Sequence, residues 1–339
     1  MHARVRRYVA VGAAVAAAAL ALSGCASSAS GTPAGATTAT LDPAHPVKIS
    51  VIRSAGGQFE PLEIGIQKGF YKDEGLDVSV KAGTGNPATL APQLVSGQVQ
   101  FAMIDIASPI AAVSQSVPIK LISVIQNDDP SIAPSAGLLV PPGSGITSVA
   151  DLKGKTIATN QLAGLPVVSV NKALKSAGVP LDSVKWVQLT PDALVDAAQS
   201  HQADAILTFA AFFQGAIEKG FTLLDGTTAR STLPRVTQVA WGASDQYIAK
   251  NPAVVAAFVR ANERAQEYAN DHPDEVRAVD TKLTKLPADY IANRQIQPFS
   301  GPFHVDVIQQ TADAMLSQGF IKKKVDVASQ LLWSDAEKK

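Results

Sequence analysis

The chain has 339 residues, of which 46% are hydrophobic and 17% charged, and its 29 basic and 29 acidic residues give a formal net charge of zero. This composition is typical of a soluble globular protein, and it lacks the basic surplus that a nucleic-acid partner requires. The chain has a single cysteine, Cys25, which leaves none for a disulfide within the chain or for catalysis elsewhere in the sequence.

Residues 1–24 are predicted to be a lipoprotein signal peptide. Arginines at positions 4, 6 and 7 precede an apolar run of fifteen residues over 8–22, which is the layout of a secretory signal. The run is shorter than the roughly 20 residues that a membrane-spanning helix needs, so a cleaved segment is favoured. The sequence LSGC over 22–25 resembles the lipobox of bacterial lipoproteins and predicts lipid attachment at Cys25, on the extracytoplasmic face of the cell membrane. An ordinary signal peptide with an incidental cysteine is the alternative.

Residues 25–46 are predicted to form a flexible tether. The stretch after Cys25 is rich in Ala, Ser, Thr and Gly, and it has too few large apolar side chains to offset the entropy of ordering. Cleavage of the signal would remove three arginines, so 26 basic and 29 acidic residues would remain, a net charge of −3. The remaining chain is long enough for one large domain or two ordinary ones.

Short β-branched or apolar runs alternate with helical segments from residue 48 onward. The clearest strands are predicted over 48–53, 76–82, 100–105, 119–126, 155–160, 184–189 and 203–209, with a further strand over 236–243. Helices are predicted over 61–68, 87–95, 109–116, 166–176, 192–200 and 212–219, and the chain turns largely helical after residue 251. This alternation predicts an α/β fold with mainly parallel sheets.

Two segments 104 residues apart are similar. The sequence LAPQLVSGQVQFAMID over 90–105 and the sequence LVDAAQSHQADAILTF over 194–209 both read as helix, Ser-x-Gln turn and strand. The similarity predicts two related lobes, and chance convergence of two βα units is the alternative.

Five motifs resemble those of solute-binding proteins of the nitrate, sulfonate, taurine and thiamine-pyrimidine type. GIQKGFYKDEGLDV over 65–78 matches the most specific signature. The others follow in the family's order: LVSGQVQFAMI from 94, SPIAAVSQSVPIKL from 108, ITSVADLKGKTIAT from 146 and HQADAILTF from 201. Gln100 is a departure, since the family commonly has Asp there. The resemblance covers roughly residues 47–325.

The resemblance implies a two-lobed periplasmic-binding-protein fold of type II. Each lobe would be a mainly parallel sheet flanked by helices, with lobe 1 over 47–127 and 240–339 and lobe 2 over 128–239. Crossover strands near 125–128 and 235–240 would join the lobes. The family's members dock on an ABC permease whose ATPase supplies the energy, so a monomer without a nucleotide site of its own is expected.

Ligands of open α/β sheets bind beyond the carboxyl ends of the strands. Glycines there would let backbone amides approach a polar head, while phenylalanines would cover an apolar or ring-shaped body. The candidate ligand-binding residues in these loops are Gln58, Phe59, Thr84, Gly85, Asn86, Asp105, Ile106, Asn160, Gln161, Gly164, Phe209 and Phe212. Trp241, in the strand over 236–243, is a candidate for the cleft wall. Core positions for Phe209 and Phe212 are the alternative.

No cofactor, metal or catalytic residue is predicted. The run GTGNPA over 83–88 matches a dinucleotide fingerprint, but it follows the second strand instead of the first and contains a proline. The histidines have no metal-ligand spacing, and no G-x-S-x-G motif occurs. The acidic pairs Asp73-Glu74 and Asp128-Asp129 are interpreted as solvated charges of turns or helix ends.

The sequence therefore predicts a lipid-anchored binding protein that delivers a small organic solute to an ABC importer. The solute would be a sulfonate-like anion or a pyrimidine or other ring compound. Two alternatives remain open: a ligand-sensing or surface-interaction lipoprotein without transport, and a thiamine-pyrimidine synthase. Synthases of this fold rely on a cysteine-rich iron-binding run, whereas this chain has only Cys25.

Overall fold

The computed structural model describes residues 40–54, 57–83 and 89–338. The predicted signal peptide, the lipid attachment at Cys25 and most of the tether lie outside these residues, as do Thr84, Gly85 and Asn86. Within the described part, Leu41 already packs against the core and lies beside Gly75, although the sequence placed it in the tether. None of the described helices is both long and apolar enough to cross a membrane.

The first of two five-stranded sheets has the order β2-β1-β3-β10-β4. Its strands are β1 (Val47–Arg53), β2 (Leu76–Ala82), β3 (Phe101–Asp105), β4 (Ile119–Asn127) and β10 (Thr237–Ser244). Strand β1 is parallel to both β2 and β3, whereas β10 is antiparallel to β3 and β4. At the family departure, Gln100 Oε1 accepts a hydrogen bond from the Ser50 backbone N–H at 2.7 Å, so a side-chain contact ties the turn before β3 to β1.

The second sheet repeats this plan with the order β7-β6-β8-β5-β9. Its strands are β5 (Ala136–Val140), β6 (Thr156–Thr159), β7 (Lys185–Gln188), β8 (Ala205–Phe209) and β9 (Thr222–Leu223). Strand β6 is parallel to β7 and β8, and β5 is antiparallel to β8 and β9. Each sheet is therefore mixed, with four strands in one direction and one reversed strand in the fourth place.

The reversed strands are the ones that enter from the other lobe. The chain leaves the first sheet at the end of β4 and joins the second on β5, and it returns to the first sheet on β10. The predicted two-lobed fold is confirmed, but β5 and β9 were not predicted from the sequence. The similar segments over 90–105 and 194–209 lead into β3 and β8, which hold the same central place in the two sheets.

Helices flank both sheets. Those of the first lobe are α1 (Glu60–Gln67), α2 (Phe70–Asp73), α3 (Leu90–Val95), α4 (Ala107–Ser114), α9 (Asp245–Lys250), α10 (Pro252–Asp271), α11 (Pro273–Leu283), α12 (Ala288–Asn293) and α13 (Val305–Ser317). Those of the second are α5 (Leu165–Ser176), α6 (Leu194–Gln199), α7 (Ala210–Glu218) and α8 (Ala229–Thr232). Short 3₁₀ turns occupy Val149–Leu152, Leu181–Ser183 and Pro191–Ala193, and a π-helical turn occupies Val327–Leu331.

The signature over 65–78 is scaffold. A Cβ atom on Gly65 would lie only 2.8 Å from the Ala265 Cβ and 2.9 Å from Tyr71 Cε2, so glycine lets α1 pack closely on α10. Gly69 and Gly75 have φ of 82° and 73°, which glycine adopts without steric cost. The acidic pair after α2 is not simply solvated, because Asp73 and Glu74 form ion pairs with two arginines of α10.

Candidate functional site

The carboxyl ends of both sheets lie at the two crossovers. Asn127 at the end of β4 pairs with Thr237 at the start of β10, and the Asp128 N–H donates to the Val236 carbonyl at 2.9 Å. Strands β1 and β3 run in the direction of β4, so they end on the same side. In the second sheet, Phe209 at the end of β8 pairs with Ala136, which opens β5 just after the first crossover. The cleft between the lobes is thus bordered by the loops that follow the strands, and it is the candidate site.

Glutamine side chains join the first lobe to both crossovers. Gln58, in the loop after β1, donates from Nε2 to Oε1 of Gln126 at 2.8 Å and to Oε1 of Gln238 at 3.2 Å. Gln58 has φ of 66°, a conformation that is uncommon for a residue other than glycine and that is over-represented at functional sites. The predicted site residue Gln58 therefore lies at the base of the cleft, in a hydrogen-bond network with the crossover strands.

The same network continues into the second lobe through Asp128. Its Oδ1 accepts from Gln238 Nε2 at 3.3 Å and from Arg230 Nη2 at 2.9 Å. Arg230, on α8, also donates to the Ile132 carbonyl. Asp128 is buried, its Oδ2 has no hydrogen-bond partner, and burial raises the pKa of its carboxyl against the lowering effect of Arg230. The interpretation of Asp128 as a solvated charge was wrong, because the first crossover encloses it.

Three large apolar side chains are exposed on the loops of the second lobe. Phe209 ends β8 and is 39% exposed, Phe212 lies in the first turn of α7 and is 38% exposed, and Leu162 follows β6 and is 45% exposed. The two phenyl rings meet edge to face with centroids 6.2 Å apart. The alternative, that the two phenylalanines belong to the core, is wrong because both side chains are exposed. An apolar surface of this kind, at the carboxyl edge of a sheet, is suited to cover an apolar ligand.

Backbone geometry presents Phe209 at this edge. Ala210 has φ of 50°, in the left-handed region, and its N–H donates to the Ser135 carbonyl at 2.7 Å. This turn from β8 into α7 leaves Phe209 as the N-cap residue of the helix, with its side chain outside the core. Such a conformation in a non-glycine residue costs of order 1–3 kcal/mol and persists only where the surroundings enforce it.

The loop after β6 carries three of the predicted residues. The Asn160 carbonyl accepts from Gln188 Nε2 at 3.0 Å, and Asn160 and Gln161 are half-buried. Gly164 has φ of 134° and is the N-cap of α5, and a Cβ atom there would lie 2.6 Å from Gln161 Nε2. Glycine at 164 therefore allows the Gln161 side chain to fold over the start of a twelve-residue helix, whose free N–H groups face this edge.

Three predicted site residues belong to the core instead. Phe59, Ile106 and Trp241 are 0%, 0% and 1% exposed. Trp241 packs against Phe258 with ring centroids 5.1 Å apart and donates from Nε1 to Asn262 Oδ1 at 2.8 Å, so it is not a cleft wall. These side chains are enclosed because Phe59 and Ile106 lie at the starts of α1 and α4, packed in the first lobe, and Trp241 lies on a strand between β3 and β4.

The Asp105 carboxylate caps the start of helix α4. Its Oδ1 accepts from the backbone N–H groups of Ala107 and Ser108 at 2.9 and 3.1 Å, and its Oδ2 accepts from Ser108 Oγ at 2.6 Å. These bonds satisfy N–H groups at the start of α4. Asp105 thus orients the loop after β3, and its carboxylate is engaged within the protein.

The arginine at the end of β1 is also engaged. Arg53 Nε lies 3.1 Å from Glu63 Oε1, and its guanidinium stacks 3.8 Å from the centroid of the Phe59 ring. A second buried charged group follows in α1, where Glu60 Oε1 accepts from Arg294 Nη2 at 2.9 Å. Burial, together with the nearby Asp280 carboxylate, raises the pKa of Glu60 to about 8. Both arginines are held by carboxylates of the scaffold.

Four residues of this region were not predicted from the sequence: Gln126, Gln238, Arg230 and Leu162. The first two lie within the predicted crossovers, and their position on paired strands could have identified them. Arg230 and Leu162 carry no signal of spacing or composition that separates them from other exposed residues. Among the described residues, no group of three or more His, Cys, Asp or Glu side chains could hold a metal ion.

Comparison with known proteins gives three similarities. The profile of a family described as "NMT1/THI5 like" matches residues 57–276. The fold is similar to that of the periplasmic aliphatic sulphonate binding protein SsuA from Escherichia coli, with a TM-score of 0.71 and 22% identity over 87% of this chain and 94% of the other. It is also similar to the periplasmic nitrate-binding protein NrtA from Synechocystis PCC 6803, with a TM-score of 0.65 and 15% identity over 83% and 84% of the two chains.

A curated relative has an enzymatic name. The 4-amino-5-hydroxymethyl-2-methylpyrimidine phosphate synthase of Candida albicans (strain WO-1) is 24% identical over 230 residues, which are 64% of this chain and 65% of that protein. At such identities, the structural similarities establish a shared fold.

Proposed function

The chain belongs to the NMT1/THI5-like family, as the sequence motifs predicted, and from this premise we propose that it captures a small organic solute in the interlobe cleft and delivers it to an ABC importer. The solute-binding part of this proposal has support from proteins of the same fold that are described as sulfonate- and nitrate-binding proteins. We propose no catalytic activity. The observation that carries the proposal is the exposed pair Phe209 and Phe212, whose rings meet where β8 ends at the carboxyl edge of the second sheet.

The proposed solute has an apolar or ring-shaped body and a hydrogen-bonding head. Burying a phenyl side chain against a ligand yields about 25 cal/mol per Å² of apolar surface removed from water, so the exposed phenylalanines supply affinity once covered. Gln58 Nε2 already donates to Gln126 and Gln238, so this amide would meet a ligand through its Oε1, an acceptor that suits a donor group on a neutral head. Arg53 and Arg230 already bind carboxylates, and Arg235 of the second crossover is exposed and acts on Asp129. These contacts favour a pyrimidine or similar ring compound over a sulfonate-like anion.

Binding of the solute would be coupled to closure of the two lobes about the crossover strands. A ligand shifts the equilibrium between open and closed forms only by its differential affinity for them, so it must contact both lobes at once. Phe209 and the start of α5 would supply the contacts of the second lobe, and the loop after β1 those of the first. The Gln58 side chain bonds both crossover strands, so a ligand that engages this amide acts directly on the segments that move in hinge closure.

We further propose that Cys25 carries a lipid that holds the protein on the extracytoplasmic face of the membrane, where a monomer would meet the permease. A ligand sensor that never delivers its solute is the competing role. Reconstitution with the permease and ATPase encoded nearest to it separates the two. Solute uptake that depends on this chain supports delivery, and binding without uptake supports sensing.

The binding proposal is tested by thermal unfolding of the purified protein against sulfonates, nitrate, pyrimidines, flavins and amino acids. A ligand at 100 times its dissociation constant adds about 2.7 kcal/mol to the free energy of unfolding. A pyrimidine or other ring compound that raises the midpoint is the expected result. A folded protein whose midpoint responds to none of the compounds would contradict the proposal.

A further inference from the structure

An open cavity of about 770 Å³ lies beside β4, on the first lobe. Strand β4 is at the edge of its sheet, and two isolated bridges cover its ends, from Leu121 to Leu332 and from Gln126 to Ser300. Between these bridges the cavity opens against residues 122–124, and its other walls are α10 and residues 300–303 and 335–337. None of the candidate cleft residues that the structure describes lines it.

The walls of this cavity carry a concentrated negative charge. Glu263 and Glu267, one turn apart on α10, face it together with Asp335 and Glu337, and no lysine, arginine or histidine is among the described residues that line it. Partial desolvation and the Glu337 carboxylate raise the pKa of Glu263, against the lowering effect of Arg260 outside the cavity. That arginine already donates to a carboxylate of the scaffold through both Nε and Nη2. Among the described lining residues, no cation relieves the repulsion between the Glu263 and Glu337 carboxylates.

A buried hydrogen-bond acceptor adds an independent observation. Gln266 lies between the two glutamates in sequence and lines the same cavity, and it is 1% exposed. Its Nε2 donates to the Val124 carbonyl at 2.8 Å, but its Oε1 has no hydrogen-bond partner. A buried acceptor without a donor costs about 1–3 kcal/mol, so a ligand N–H group that reached Oε1 would recover this free energy.

The remaining walls are mixed, with the polar residues Ser123, Asn270 and Ser300 beside apolar ones. Ile122, Val259 and Phe303 line the cavity between the charged groups. Its volume lies within the roughly 300–1,000 Å³ of pockets that hold small organic ligands. No group of three or more described His, Cys, Asp or Glu residues is arranged for a single metal ion, so the carboxylates suit a cation whose charges are separated.

We propose that this cavity binds an aliphatic polyamine. The ammonium groups would pair with the carboxylates of α10 and of residues 335–337, an N–H group would donate to Gln266 Oε1, and the methylene chain would pack on Ile122 and Phe303. Charge-assisted hydrogen bonds of this kind are roughly twice as strong as neutral ones. This cavity is separate from the cleft, so the polyamine proposal does not depend on the solute proposed for the cleft.

The test is isothermal titration calorimetry of the purified protein with spermidine, 1,6-diaminohexane and the neutral 1,6-hexanediol at low ionic strength. Spermidine should bind saturably with one site, the diamine more weakly, and the diol without detectable heat. The double variant Glu263→Gln/Glu267→Gln should bind spermidine at least about tenfold more weakly, because two of the four carboxylates are lost. Asp335→Asn/Glu337→Gln should have a similar effect without a change in any helix.

The matched control is Asp182→Asn/Glu218→Gln, which removes the same charge from exposed positions of the second lobe. Spermidine affinity should change by less than about twofold in this variant, since surface charges at that distance are screened. An equal loss of spermidine affinity in the control would show that the variants act only through the overall charge of the protein. This result would overturn the proposal. A lack of saturable heat at millimolar spermidine, or binding that Phe209→Ala abolishes, would overturn it as well.

Discussion

Asp128 and Arg230 form a mostly enclosed ion pair that joins the first crossover to the second lobe. Oδ1 of Asp128 lies 2.9 Å from Nη2 of Arg230, and the two side chains are 5% and 15% exposed. Through Gln238 the pair connects to Gln58, so one chain of polar side chains runs from the loop after β1 to helix α8.

Arg230→Met should destabilise the protein by about 3–5 kcal/mol, because it leaves the Asp128 carboxylate buried without its cation. Urea unfolding followed by circular dichroism measures the change. The control is Arg264→Met, which removes an arginine from an ion pair with Asp73 whose side chains are 55% and 59% exposed. Exposed pairs are worth about 0–1 kcal/mol. Equal losses in the two variants would contradict the assigned role of the enclosed pair.

Glu60→Gln should flatten the dependence of stability on pH. The pKa of Glu60 is raised from 4.5 to about 8, so between these values the folded protein retains a proton that the unfolded chain has released. Stability must therefore fall as pH rises through this window, by up to about 1.4 kcal/mol per pH unit from this group. Relative to the wild type, the variant should gain stability from pH 5 to pH 8. An unchanged slope in urea titrations at several pH values would refute the assignment, and Asp182→Asn serves as an exposed control.

Phe209→Ala should weaken binding of the cleft ligand by about tenfold or more, because a buried aromatic anchor commonly contributes over 1 kcal/mol. Titration calorimetry with the compound found in the thermal screen measures this loss. Val95→Ala is the matched control, since Val95 is 40% exposed and ends α3, away from the loops that follow the strands. If both variants bind with wild-type affinity, the phenylalanine does not contact the ligand.

Gly65→Ala should cost about 1–3 kcal/mol, because the new methyl group overlaps Ala265 and Tyr71 where α1 meets α10. Gly215→Ala, at a glycine within helix α7, should have the opposite effect on stability. A Cβ atom there would meet nothing within 4 Å, so this change should stabilise α7 by about 0.5–1 kcal/mol. A melting temperature that rises in both variants would show that helix propensity, and not packing, decides the effect at 65.

The sequence predicted elements well where two patterns agreed. Strand β2 alternates in burial from Leu76, and the signature glycine Gly75 directly precedes it, so the start of the strand and its role in the scaffold could be predicted. Strand β5 was missed because five residues after a proline-containing turn are too few to show a period. Phe209 and Trp241 are both aromatic residues of strands, and both were predicted to contact the ligand. Phe209 is exposed, whereas Trp241 lies in the core. Alternation separates the two faces of a strand, but only the lateral position of β10, between β3 and β4, decides that Trp241 is enclosed.

The reversed strand in the fourth place of each sheet also dictates an order of assembly. All five strands of the second sheet come from one continuous stretch, from Ala136 to Leu223. The first sheet, by contrast, has a gap between β3 and β4 until β10 arrives, more than a hundred residues later along the chain. Long-range pairing of this kind forms slowly. In pulsed hydrogen exchange, amides of β8 should gain protection before those of β3. A nascent chain that ends after β9 would hold one finished sheet and one with a strand-wide opening.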